Sequence, residues 1–134
     1  MPESITQVQP PLEFIAPAFN PLVYQTAKTL LPLWMRWRVK ITDVEVRHSE
    51  RLVELYRQFQ AGDLRLMIAF RHPSVNDPFC LINLLSRALP AAAKAQGVAL
   101  KQPVHAHFIY DRGIPLWAGQ QVGWFFSQMG GTPI

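Results

Sequence analysis

The sequence predicts an α/β domain: a mixed, partly parallel sheet flanked by helices, incomplete at the C-terminus, with an amphiphilic helix near the N-terminus. Three observations carry this expectation. Strand-like and helix-like periodicities alternate from residue 37 onward, which argues for parallel crossovers. The near-continuous apolar run 64–70 suits a central strand covered on both faces. Directly after it comes a polar elbow, Arg71-His72-Pro73-Ser74-Val75-Asn76-Asp77, and Pro78 then opens an apolar stretch at helical spacing.

Composition sets the outer limits. A chain of 134 residues with 49% hydrophobic residues holds one domain with a core, or part of one. Its single cysteine, Cys80, excludes an internal disulfide framework and a Cys-x-x-Cys metal site, and its apolar helical setting suggests a buried thiol. The net charge of +4 suits an anionic membrane surface or phosphate-bearing substrates. The basic residues are dispersed, which argues against nucleic acid. No basic start and apolar run marks a secretory signal, and no stretch reads as a spanning helix. Residues 113–134 lack charge, but their five Gly and two Pro make a poor lipid-facing segment.

Taken in order, residues 1–21 are too rich in Pro for regular structure and read as a flexible or extended arm anchored by Phe14, Ile15 and Phe19. Residues 22–38 set Leu30, Leu31, Leu33, Trp34, Met35 and Trp37 beside Lys28, Arg36 and Arg38. Tryptophan next to arginine is the composition of a membrane interface, although a helix packed on its own domain fits equally well. The expected division is thus a Pro-rich arm and interface segment over 1–38 and an α/β domain over 39–134. Residues 37–46 alternate as a strand pair or bulged strand. Ser49 is the expected N-cap of a helix that ends at Gly62. Residues 78–89 form the next helix, with Asp77 as N-cap. Pro90 interrupts it, and Gly97 caps a short continuation. Residues 104–110 alternate as a strand, 116–129 read as a helix with close-approach sites at Gly119 and Gly123, and 132–134 begin another strand.

The chemistry concentrates in the elbow. In a straight strand His72 and Asp77 would lie roughly 17 Å apart. On a helix they would point about 140° apart. They meet only if the elbow folds back. A neutral imidazole can then take a hydroxyl proton while the carboxylate fixes its tautomer and stabilises the imidazolium. The plainer alternative leaves Asp77 as a helix cap and His72 as a polar turn residue. His105 and His107 share one face of the predicted strand, but no third metal ligand accompanies them, so no metal site is expected.

The elbow resembles the H-x-x-x-x-D signature, often N-H-x-S-x-x-D, of the glycerolipid acyltransferases, among them the glycerol-3-phosphate and 1-acylglycerol-3-phosphate acyltransferases. His72, Ser74 and Asp77 match position by position, and Arg71 stands where the family usually has Asn. The resemblance covers residues 64–134. It implies transfer of a fatty acyl group from acyl-CoA or acyl carrier protein to the hydroxyl of glycerol phosphate or a lysophospholipid. His72 would be the general base and Asp77 its orienting partner, with no further cofactor. Arg71 and Ser74 are the candidate substrate-side residues: Arg71 as a cation near phosphate or a salt-bridging strand end, Ser74 as a shaper of the turn. Such an enzyme is expected at the cytoplasmic face of a membrane, as a peripheral or monotopic protein. Residues 130–134 resemble the start of the family's second block. The arginine that ends that block, and the third block, E-G-T-R, would follow Ile134. The chain is accordingly expected to be the N-terminal portion of such an enzyme, with little activity alone. The alternative function is a non-catalytic peripheral membrane or protein-binding module. A metal or nucleic-acid binding domain is a more distant third.

Overall fold

A computed structural model describes residues 12–134. The part of the Pro-rich arm over residues 1–11 lies outside the described residues. The fold is mixed helix with a small two-stranded parallel sheet, and 53% of it is helical. Two compact units make it up: residues 21–106, and residues 12–20 together with 107–134.

The 21–106 unit is helical. Its elements are α1 (Pro21–Trp34), which runs into a π-helical turn at Met35–Val39, α2 (Ser49–Ala61), α3 (Asp77–Asn83), a second π-turn at Leu84–Ala88, and α4 (Leu89–Ala95). The core joins Val53 and Tyr56 of α2 to Leu85, Leu89 and Ala93, which recur every fourth residue along the 84–95 stretch, and to Val104. Pro90 does not break that stretch. Its ring would strike the carbonyl of residue 86, and the wider π-turn falls on that residue. Cys80 is half-buried.

Two expected strands are replaced in this unit. Residues 37–46 are helical up to Val39, and Lys40, left-handed with φ 64°, ends that helix. Residues 64–70 are extended but pair with no strand among the described residues. Leu66 packs on the core, while Met67 is 88% exposed, so the run is not a central covered strand. The α2 boundaries match the periodicity, except that His48, at φ 57°, takes the cap position assigned to Ser49.

The main chain over 101–105 is likewise not a strand, because side chains satisfy it. Gln60 pairs with Lys101 through both its amide atoms, at 2.9 and 2.8 Å. Tyr24 donates to the carbonyl of Val104, and Tyr56 donates to that of His105 at 2.8 Å.

In the other unit β1 (Phe108–Tyr110) pairs in parallel with β2 (Gly131–Pro133), Phe108 opposite Gly131 and Tyr110 opposite Pro133. Between them lie α5 (Ile114–Ala118) and α6 (Gln120–Gln128). The expected single helix is split at Gly119, whose φ of 101° side-chain-bearing residues seldom adopt. A ring cluster of Phe108, Tyr110 and Phe126 packs the strands on α6, with centroids 4.9 to 6.2 Å apart. Residues 12–20 lack regular structure but are tied to the end of α6: Ser127 donates to Ala16, and the amide of Ala18 donates back to Ser127. Gly123 is a close-approach point, since a Cβ there would lie 2.7 Å from Ile15.

Two outcomes follow from the tyrosine pins. Removing the hydroxyl in Tyr56→Phe deletes its bond to the His105 carbonyl and should cost about 1 kcal/mol in urea unfolding. Burial, aided by Tyr56, pushes the Tyr24 hydroxyl from 10.0 up to about 12. The folded value lies above the unfolded one, so the contribution of the neutral phenol is complete below pH 10 and is lost as the pH climbs toward 12. Melting temperature should fall through that window, and Tyr24→Phe should flatten the fall.

Candidate functional site

The elbow folds back over four residues. The amide of Asp77 donates to the Ser74 carbonyl at 3.2 Å, and that of Phe79 donates to Asn76 at 3.1 Å. The Ser74 hydroxyl accepts from the Asn76 amide at 3.2 Å, so this serine is spent on shaping the turn. With the Phe79 amide already engaged, the Asp77 carboxylate does not cap its own helix. It turns backward instead. Its Oδ2 accepts the Ser74 amide at 2.9 Å and lies 3.2 Å from Nδ1 of His72.

This geometry joins His72 to Asp77 and makes Asp77 the first residue of α3, where a cap was expected. The Ser74 amide, and secondly the His72 ring, hold the Asp77 carboxyl below its ordinary range. An ionised carboxylate only accepts hydrogen bonds, so the shared proton resides on Nδ1. In the neutral ring Nε2 then keeps its lone pair, and no described residue bonds to it. The His72 side chain is half-exposed (49%), against 29% for Asp77, so Nε2 is open to an incoming molecule. The Phe70 ring stands beside the imidazole at 5.7 Å between centroids.

Arg71 is exposed and forms no ion pair among the described residues. The strand-end salt bridge is therefore not seen among the described residues. His105 and His107 each direct Nδ1 at a backbone carbonyl 3.2 Å away, of Pro103 and Gly130 respectively. Among the described residues no three potential metal ligands gather.

Sequence reasoning missed two aromatic neighbours of the site. Phe70 precedes His72 by two positions, and a strand reading would have placed it on the same face. Phe79, in the first turn of α3, meets the Trp34 ring at 6.3 Å, a contact 45 positions apart that no local pattern signals. Comparison with known protein families, with curated proteins and with solved structures finds no match.

The tautomer is directly testable. Long-range proton–nitrogen NMR at pH 8 should show His72 protonated on Nδ1 with Nε2 bare, and Asp77→Asn should erase that preference. A proton on Nε2 in the parent protein would contradict this account. The Asp77 value is depressed, so its two bonds persist above the ordinary carboxylate range and are lost as the pH falls through its lowered value.

Proposed function

We propose that the chain carries the general-base pair of an acyltransferase of the glycerolipid kind, acting on an acyl thioester and the hydroxyl of glycerol phosphate or a lysophospholipid. One observation supports this above the others: Nδ1 of His72 lies 3.2 Å from an Asp77 carboxylate that is turned away from its own helix. In the proposed step the acceptor hydroxyl attacks the thioester carbonyl as Nε2 takes its proton. A C–O bond forms, the C–S bond breaks, and the proton passes on to the leaving sulfur. Asp77 stabilises the imidazolium in between. The acceptor is itself the nucleophile, so no acyl-enzyme is needed. Arg71 supplies a cation to the phosphate of acceptor or donor, while Ser74 holds the turn.

The same reading takes a larger mixed, partly parallel sheet flanked by helices, with an amphiphilic N-terminal helix, as the fold the whole enzyme would have. A second reading, a non-catalytic binding module whose elbow is only a turn, draws support from the half-open position of His72.

The deciding experiment isolates the protein at the length its own cell makes and measures acyl transfer from a labelled acyl thioester to glycerol phosphate and to lysophosphatidate. A positioned base contributes roughly 100- to 10,000-fold, so His72→Ala should lower turnover at least 100-fold with circular dichroism unchanged. Asp77→Asn should lower it by a similar order. Turnover that survives His72→Ala, or none in the parent protein, would favour the binding module.

A further inference from the structure

Helix α1 has two apolar faces, and only one is covered. Tyr24, Leu31 and Met35 recur at i, i+7 and i+11 and are buried. Around the axis from them stand Leu22, Leu30, Leu33, Trp34 and Trp37, of which Leu22 is 78% and Trp37 74% exposed. The last four occupy i, i+3, i+4 and i+7, one continuous stripe. With Arg38 they line an open groove of about 410 Å³.

Charge indicates what covers this stripe. Arg36, Arg38 and Lys40 lie beside it or at its end, and no carboxylate occurs between Glu13 and Asp43. Arg36, Arg38 and Lys40 are exposed, and among the described residues no ion pair engages them. Indole rings and leucines bordered by cations match the boundary of an anionic bilayer, where rings sit at headgroup depth and cations meet lipid phosphate. No helix among the described residues is long and apolar enough to cross a membrane, so contact is from one side.

We infer that the Leu30–Leu33–Trp34–Trp37 stripe docks this protein on an anionic lipid surface. The stripe continues toward the elbow. Trp34 packs on Phe79, two residues beyond Asp77, and Val75 within the elbow is 76% exposed. Docking therefore brings His72 close to lipid headgroups. That this delivers a lipid-borne acceptor to the base rests on the acyl-transfer reading, whereas the docking itself does not.

The test is flotation of the 134-residue chain with vesicles of phosphatidylcholine containing phosphatidylglycerol, together with tryptophan emission. The chain should float with these vesicles, its emission should shift to the blue, and added salt should weaken binding. Replacing both exposed arginines, Arg36→Gln with Arg38→Gln, should reduce partition roughly 25-fold, at about fivefold per cation near such a surface. Trp37→Ala should abolish most of the blue shift. His72→Ala should leave partition unchanged, so a failure of the acyl-transfer reading cannot be mistaken for a failure of docking. Absence of flotation, or equal flotation of the arginine variant, would overturn the inference. So would a dimer in sedimentation that Trp37→Ala dissolves while vesicles leave it intact, because the stripe would then cover a second copy.

Discussion

The 21–106 unit depends on how the main chain over 101–105 meets its hydrogen-bonding demand. Val104 is buried in the core, yet among the described residues no strand runs alongside to take its polar groups. Leaving such groups unpaired costs a few kcal/mol each, of order 1–3. Two helices answer instead: α2 supplies Gln60 and Tyr56, and α1 supplies Tyr24. These bonds fix the rotation of α1, since Tyr24 must face inward. With Tyr24, Leu31 and Met35 turned to the core, the leucines and tryptophans on the other side have nowhere to go but outward.

The elbow shows the same economy on a smaller scale. A helix start ordinarily recruits its first carboxylate as a cap. Here the Asn76 carbonyl takes the Phe79 amide and the Ser74 hydroxyl takes the Asn76 amide, so the helix start needs no cap from the Asp77 carboxylate. Its carboxylate is left for the Ser74 amide and the imidazole, and these two contacts, in that order, keep it ionised. The result is a histidine whose inner nitrogen is committed and whose outer nitrogen is not. The proposed proton abstraction requires that asymmetry.

Legibility in the sequence followed the range of the interactions. Helix α2 was readable because Leu52, Tyr56 and Phe59 repeat at local spacing and Gly62 supplies the left-handed end. The meeting of His72 with Asp77 was readable because five residues admit only a folded-back geometry. The strand over 64–70 was misread because an apolar run specifies burial, not pairing, and pairing depends on a partner far away in sequence. Tyrosine and glutamine side chains standing in for a strand at 101–105 leave no periodic trace. The two π-turns were equally silent, although Pro90 marked the place where an ordinary helix could not continue. Gly119 was read as a site of close approach. It instead breaks the helix, and Gly123 alone makes the contact.

The exposed stripe on α1 and the open nitrogen of His72 bear on each other. Single apolar side chains at a surface are ordinary, but a run of two tryptophans and two leucines on one helix face is a contiguous patch, and such patches mark interaction sites. Trp34 belongs to the patch and also touches Phe79 in the first turn of the helix that begins with Asp77. Whatever covers the patch therefore presses on the element that carries the carboxylate. A covering layer of lipid would also thin the water around a half-exposed imidazole. In lower dielectric the attraction between Asp77 and a forming imidazolium strengthens. On the acyl-transfer and docking proposals together, the open arrangement of His72 is the state expected before a lipid surface covers it.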